Sequence, residues 1–205
     1  MRVQLKRESS LWQRFVDHLA FPVNMWLSVE ASDRLGLTPI DHERVRAALP
    51  FCRGRLLDIG CGDNLLVRSY GNGVGVDVHP YADAAARCDS SSLPFHTGSF
   101  DSAALLACLN HITRRKETLA ECRRVLRPGG RLLVTIIPRW VGVVSHRIRR
   151  RHDPDQLERG IGHDEELGLS DRAVRELLDR AHFKLVLHRR FMWRLNSLYV
   201  AEKEG

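Results

Sequence analysis

The nine residues Leu56–Asn64, LLDIGCGDN, constrain the fold of this chain more than any other stretch. Their first part has the apolar character of a strand in the centre of a sheet. Gly60 and Gly62 follow and lack a Cβ atom, so the backbone can turn tightly and approach a ligand there. A second apolar strand over residues 73–78 carries Asp77 near its end. Strand, glycine turn, strand and acid in this order are typical of open α/β sheets that bind an adenosine-containing ligand.

The residues after the glycine turn argue against two common kinds of nucleotide site. The G-x-G-x-x-G fingerprint of dinucleotide-binding proteins needs a third glycine at position 65, where this chain has Leu65. The chain has no G-x-x-x-x-G-K-[ST] loop, and no lysine follows the glycines to contact a phosphate. Neither a hydride-transferring dinucleotide nor a nucleoside triphosphate is therefore favoured.

The acid and glycines of residues 58–62 resemble the first motif of the class I S-adenosylmethionine-dependent methyltransferases. Further segments resemble later motifs of that family in the expected order: residues 89–95, 99–108, 109–112 and 124–134. The resemblance covers roughly positions 54–203 and is with the small-molecule, type 11-like branch. It implies an α/β, Rossmann-like, doubly wound sheet of seven strands, mostly parallel with an antiparallel C-terminal hairpin, and helices on both faces.

The same resemblance implies which residues hold the cofactor S-adenosylmethionine, whose product is S-adenosylhomocysteine. Asp58 and the glycine turn would hold the methionine end, Asp77 the ribose hydroxyls, and Asp89 the adenine amino group. A carboxylate suits the ribose because it accepts two hydrogen bonds from a vicinal diol. The other residues expected at the cofactor site are Gly60, Cys61, Gly62, Asn64, Val78, Ser90 and Ala107.

Two features depart from the usual family pattern. Asn64 stands two residues after Gly62, where the family usually has a third glycine. Asparagine tolerates left-handed backbone angles better than other non-glycine residues, so we expect the turn to survive. The helix between Gly62 and Gly73 is also expected to be short.

The candidate catalytic residue is His111. Methyl transfer is an in-line displacement, so the protein must align the nucleophile with the methyl carbon and the sulfur. A hydroxyl nucleophile also benefits from a general base. In a doubly wound sheet the pocket lies at the carboxyl ends of the strands, and His111 follows the fourth strand. The alternative is a histidine at a helix entry that only satisfies backbone groups.

Residues 1–50 are expected to form a helical cover of the active site, or only a structural cover of the sheet, and residues 51–205 the cofactor-binding domain. We expect Pro22 to interrupt the first helix and Asp41 to be the N-cap of a helix over residues 42–49. Ser170 is the expected N-cap of the last helix, which two closing strands follow over residues 183–191 and 196–201.

Composition limits the remaining possibilities. With 205 residues the chain is long enough for one domain, and no apolar run reaches the about 18 residues of a transmembrane helix. Five cysteines form no C-x-x-C pair and the histidines lack H-E-x-x-H spacing, so we expect a reduced, cytoplasmic chain without a metal site. The net charge of +7 favours anionic partners; alternatively, the basic residues only form a solvated surface. The basic run over residues 147–152 could contact an anionic membrane surface or belong to an exposed helix.

These observations favour a methyltransferase that acts on an oxygen or carbon of a small molecule, an isoprenoid or a carrier-linked metabolite. Two alternatives stay open: an RNA-directed methyltransferase, and a non-enzymatic binding or scaffold protein that retains the fold. Nucleic acid is the less favoured partner, because the place after the fourth strand lacks the Pro-Pro-aromatic turn of base-amine methylation and the chain has no Pro-Cys pair. The sequence does not predict the oligomeric state.

Overall fold

The computed structural model describes residues 10–24, 27, 29–81, 83–139 and 168–204. These residues contain a seven-stranded sheet with the order β3-β2-β1-β4-β5-β7-β6. Its strands are β1 (Leu56–Ile59), β2 (Gly73–Asp77), β3 (Ala86–Arg87), β4 (Phe100–Leu106), β5 (Leu126–Ile136), β6 (Phe183–Phe191) and β7 (Asn196–Lys203). Strands β1 to β5 are parallel, and β7 runs antiparallel to both β5 and β6. The predicted mostly parallel sheet with an antiparallel C-terminal hairpin is confirmed.

The helices lie on both faces of this sheet, as predicted. Within the described ranges they are α1 (Leu11–Asn24), α2 (Val29–Arg34), α3 (Ile40–Ala48), α4 (Leu65–Tyr70), α5 (Arg115–Val125) and α6 (Asp171–Arg180). Because successive strand residues point to opposite faces, Leu56 and Leu57 belong to two different cores. Leu57 packs in the core that includes α5 and α6, and Leu56 in the one that includes α3 and α4. The short helix expected between the two glycine-flanked strands is the six-residue α4.

The prediction that Pro22 interrupts the first helix is wrong, because α1 continues through Pro22 to Asn24. Proline has no N–H to donate to the carbonyl four residues earlier, which here belongs to His18. The indole Nε1–H of Trp193 donates to that carbonyl instead, at 2.8 Å. A side chain from the β6–β7 turn thus replaces the hydrogen bond that the proline removes.

Buried polar side chains join α1 to the segment that precedes α3. The Asp17 carboxylate accepts from the backbone N–H and the hydroxyl of Thr38, at 2.9 and 2.6 Å. Asn24 donates to the Thr38 carbonyl at 2.7 Å and accepts from the Ser32 hydroxyl at 2.6 Å. Because buried polar groups are costly without partners, this network holds the N-terminal helices in one arrangement.

The two helix starts predicted from N-cap residues have opposite outcomes. Asp41 does not cap α3, because Pro39 occupies the N-cap position and Asp41 lies in the first turn, paired with Arg44 at 2.7 Å. An acid in the first turn still favours the helix through its dipole. Ser170 caps α6 as predicted, and its hydroxyl accepts from the Ala173 N–H at 3.1 Å.

The third strand lies before residues 89–95, the segment whose resemblance to the family predicted the third strand. Residues 89–95 form turns, and β3 is the two-residue pair Ala86–Arg87 at the edge of the sheet. Alanine-rich sequence favours strands weakly, and this pair is held by its backbone pairing with Val76 and Asp77. Pro128 lies in an irregularity within β5, where the register with β4 shifts.

The basic run at residues 147–152 lies outside the described residues. In the ranges that the structure describes, no helix has both the length and the apolar character to cross a membrane.

Candidate functional site

The glycine turn lies over the carboxyl end of β2. The backbone N–H groups of Gly60 and Cys61 both donate to the Val76 carbonyl, at 2.9 and 3.1 Å. Gly60 has a φ of +71°, and a Cβ there would lie 2.9 Å from the Cβ of Cys108, at the end of β4. Gly62 has a φ of +51°, and a Cβ there would meet no heavy atom within 4 Å. The turn is therefore packed on one side and open on the other.

Asp77, at the end of β2, holds the glycine turn with its side chain. One carboxylate oxygen accepts from the Gly62 N–H at 3.0 Å, and the other from the His79 N–H at 2.9 Å. Each carboxylate oxygen can accept a further hydrogen bond, because it has two lone-pair directions. The structure thus brings together Asp77 and Gly62, which the sequence placed at the same site.

Asp58 is a buried carboxyl group beneath the same turn. Its Oδ1 atom is buried and has no hydrogen-bond partner among the described residues. Burial raises the pKa of Asp58 to about 8, and the nearby carboxylates of Asp77 and Asp63 contribute to that rise. An unpartnered buried oxygen and a cluster of three acids favour a positively charged ligand.

Asn64 occupies the position of the missing third glycine and has the left-handed conformation that we expected, with a φ of 62°. Its side chain lies over Gly75 of β2, where a Cβ would collide with Asn64 Oδ1 and lie 2.9 Å from the Cys61 Cβ. The Asn64 amide donates to the Asp83 carbonyl at 2.7 Å. Gly75 therefore provides the space that lets a larger residue replace glycine at position 64.

The expected adenine-side residues follow β2 and β3. Val78 comes directly after Asp77 and is 55% exposed. Asp89 accepts from the Ser91 N–H at 2.8 Å, and this hydrogen bond lowers the pKa of the exposed Asp89 carboxyl group. The Ser90 hydroxyl lies 3.0 Å from the Thr118 hydroxyl of α5.

The segment after β4 positions the candidate base. Ala107 has a φ of +55°, and its N–H donates to both the carbonyl and the hydroxyl of Thr135, at 3.0 and 2.9 Å. A left-handed alanine is strained, and strain of this kind clusters at functional sites. His111 lies beyond this bend, and its exposed ring has Nε2 2.9 Å from the side-chain nitrogen of the buried Asn110. The structure therefore places His111 at the carboxyl edge of the sheet.

Sequence reasoning did not identify His42, which lies on α3 and is 2% exposed. Neither ring nitrogen of His42 has a hydrogen-bond partner in the part of the chain that the structure describes. Burial lowers the pKa of His42, although the carboxylates of Asp33, Asp41 and Asp63 oppose this effect. A neutral imidazole thus lies within electrostatic reach of the acid next to Gly62. The only indication in the sequence that His42 is buried is its position three residues before Val45, on the same face of α3.

The two thiols at this edge of the sheet are kept protonated. Burial raises the pKa of Cys61 to about 12 and that of Cys108 well above its usual range. The Cys108 thiol donates to the Ile59 carbonyl at 3.2 Å, at the end of β1. A reactive cysteine would need a low pKa, so these thiols pack the strand ends and are not nucleophiles.

Comparison with known proteins finds similarity to methyltransferases. Residues 57–134 match a family described as a methyltransferase domain. The chain is 27% identical over 148 residues to a ubiquinone biosynthesis O-methyltransferase of Xanthomonas oryzae, covering 62% of this chain and 62% of that protein. It is 35% identical over 82 residues to a ubiquinone/menaquinone biosynthesis C-methyltransferase of Hahella chejuensis, covering 40% of this chain and 26% of that protein.

A solved structure has the same fold over nearly the whole chain. It is the 1,6-didemethyltoxoflavin-N1-methyltransferase of Burkholderia thailandensis, with bound 1,6-didemethyltoxoflavin and S-adenosylhomocysteine. The TM-score is 0.58 at 18% identity, covering 99% of this chain and 95% of that one. The expected fold is confirmed. The match to the methyltransferase-domain family spans residues 57–134 and includes the glycine turn at residues 60–62.

Proposed function

We propose that the protein is an S-adenosylmethionine-dependent methyltransferase that methylates an oxygen or a carbon of a small molecule. The observation that carries the proposal is the buried, unpartnered carboxyl oxygen of Asp58, which lies beneath a glycine turn that is open beside Gly62. The two relatives from Xanthomonas and Hahella act in quinone biosynthesis by O- and C-methylation, as their names say. Because the chain spans only 62% of the length of the first of them, its activity and methyl acceptor are proposals.

Each cofactor-site residue has a separate role in this proposal. Bound S-adenosylmethionine would supply a methyl group on a positively charged sulfur. Asp58 accepts from the cationic amino group of the methionine end, and Asp77 accepts from the ribose hydroxyls. Val78 packs on the adenine ring, and Asp89 accepts from its amino group. Gly62 leaves the space that the cofactor needs, since a Cβ there would point into the open side of the turn.

Asp77→Asn is the first test of the proposed cofactor site. We expect it to weaken S-adenosylhomocysteine binding about 100-fold in a calorimetric titration, because hydrogen bonds to a charged group contribute about 1.5–3 kcal/mol each. Asparagine keeps one side-chain oxygen that can accept from the Gly62 or His79 N–H, so the turn should persist. The matched control is Glu176→Gln, which removes a carboxylate from the exposed side of α6, where it pairs with Arg172. Absence of binding by the unchanged protein would contradict the proposal and favour a non-enzymatic role.

The pH dependence of cofactor binding is a second test. With its pKa raised to about 8, Asp58 is mostly protonated near neutral pH in the ligand-free protein. A bound ammonium group favours the ionised form, so binding releases a proton and tightens as the pH rises towards about 8, by up to about tenfold per pH unit. Calorimetry in two buffers of different ionisation enthalpy measures that proton. Asp58→Asn should remove this pH dependence, and an unchanged profile in the variant would assign the proton to another group.

The nature of the methyl acceptor is proposed from the relatives and from the charge of the chain. A prenylated phenol fits relatives that act in quinone biosynthesis, and an anionic group on the acceptor fits the net charge of +7. An acceptor screen should therefore compare prenylated phenols, their unprenylated counterparts and RNA. Salt-sensitive methylation of RNA would instead support the RNA-directed alternative.

The N-terminal residues 1–50 are proposed as a cover of the active site. Val45 and Ala48 of α3 pack in the same core as Leu56 of β1, which fits a cover fixed to the sheet. The cytoplasmic location stays a proposal, supported by five cysteines that are all free.

A further inference from the structure

Helix α1 exposes a continuous apolar face. Five large side chains of this helix are between 53% and 84% exposed: Leu11, Trp12, Phe15, Leu19 and Val23. At about 100° per residue they fall within a single arc of about 120° around the helix. The opposite side carries Phe21 and Asn24, which are buried against the protein. Isolated exposed apolar residues are ordinary, whereas a contiguous patch of this kind marks an interaction surface.

The charges beside this face are basic. Arg14 is exposed and lies next to the apolar arc. Asp17 is the only acid of α1, and it points inward, where Thr38 occupies both of its oxygens. The solvent side of α1 therefore has no carboxylate of its own.

Trp193 extends the apolar face across His18. Its ring lies 5.2 Å from the imidazole of His18, and its indole N–H donates to the His18 carbonyl at 2.8 Å. Trp193 remains 48% exposed, and the exposed Arg194 follows it. The resulting surface, which we call the α1 face, carries two tryptophans and is bordered by Arg14 and Arg194.

We propose that the α1 face lies on an anionic lipid surface. Aromatic and aliphatic side chains on one helix face, with basic residues at its border, are typical of helices that lie in the interface plane of a bilayer. Indole rings favour that interface because one edge is polar and the rest is apolar. Association with a second copy would bring together two chains that each have a net charge of +7 and repel each other. Anionic lipid headgroups instead complement Arg14 and Arg194. The inference stands independently of the proposed methyl transfer.

Vesicle sedimentation of the full chain tests this inference. We expect co-sedimentation with vesicles of phosphatidylcholine and phosphatidylglycerol, weaker binding to phosphatidylcholine alone, and a decrease with added salt. The double variant Trp12→Ser/Phe15→Ser should bind at least about tenfold more weakly, because each aromatic side chain contributes substantial apolar area. Both side chains are exposed in the folded protein, so the substitutions should leave thermal unfolding unchanged.

Val186→Ser is the matched control, because it removes an exposed apolar side chain from β6 and not from α1. It should bind vesicles as the unchanged protein does. Equal sedimentation with both kinds of vesicle, or no effect of the double variant, would overturn the proposal. So would a dimer in light scattering that the double variant converts to a monomer without any vesicle binding, since the α1 face would then belong to a second copy. S-adenosylhomocysteine affinity should be the same in all these variants, so its measurement distinguishes a loss of vesicle binding from a loss of the proposed cofactor site.

Discussion

Replacing His111 by alanine is expected to lower the turnover number about 100-fold or more while leaving the affinity for S-adenosylhomocysteine unchanged. A positioned general base contributes about 10²- to 10⁴-fold, and the ring of His111 is exposed beyond the strained bend at Ala107. Apart from Ala107, which follows β4, the residues expected at the cofactor site follow β1, β2 and β3, so cofactor binding should not depend on the His111 ring. Turnover with the methyl acceptor found by the screen, together with calorimetry, measures both quantities.

The contact between Asn110 and His111 determines which ring nitrogen could act as the base. The Asn110 side-chain nitrogen lies 2.9 Å from Nε2 and donates to it in this orientation. If the amide were turned by about 180°, its oxygen would accept from a protonated Nε2 instead, so the amide orientation decides which ring nitrogen can accept a proton. Added imidazole should restore part of the activity of the alanine variant. His96→Ala is the matched control, because His96 is exposed and precedes β4 at the opposite end of the strand. Unchanged turnover in His111→Ala would leave His111 as a histidine that only hydrogen-bonds locally.

Gly75→Ala is expected to destabilise the protein by about 1–3 kcal/mol, the usual cost of overpacking a close-packed site. The new methyl group would collide with Asn64 Oδ1 and lie 2.9 Å from the Cys61 Cβ. Gly75 lies in β2 and has no positive φ, so the backbone itself tolerates alanine and the cost arises from the collision alone. Denaturant unfolding measures the change, and S-adenosylhomocysteine affinity should fall with it because the glycine turn must shift.

Asn64→Gly provides the compensating substitution. It removes the oxygen that the new methyl group at position 75 would strike, and glycine adopts the left-handed conformation of position 64 without strain. The double variant Gly75→Ala/Asn64→Gly should recover part of the lost stability, but not all of it, because the contact with Cys61 remains. Gly62→Ala is a useful control, since it strains a left-handed position and meets no neighbouring atom. Simple additivity of the two single variants would contradict the compensation between positions 64 and 75.

The parts of the fold that sequence predicts well are those with a local physical cause. Strands β1 and β2 are apolar runs bounded by glycines, and Ser170 offers a side-chain oxygen at the start of a helix with an apolar face. The closing hairpin is also predicted within two residues at each end. In these cases the residues that determine the structure are neighbours in the sequence.

The elements that sequence reasoning placed wrongly depend on distant contacts. Nothing near Pro22 indicates that Trp193 supplies the missing hydrogen bond. Strand β3 is defined by its pairing with β2 more than by its own residues. The same limit applies to the site, because the side chain of Asn64 needs the space at Gly75, and the burial of His42 depends on how α3 packs.

The hydrogen bond from Trp193 to the His18 carbonyl also bears on the order in which the chain can fold during synthesis. The two residues are 175 positions apart, so most of the chain must leave the ribosome before the donor exists. Until then the His18 carbonyl lacks the protein partner that replaces the N–H missing at Pro22. One backbone carbonyl of α1 thus obtains its hydrogen bond only after the β6–β7 hairpin has been synthesised.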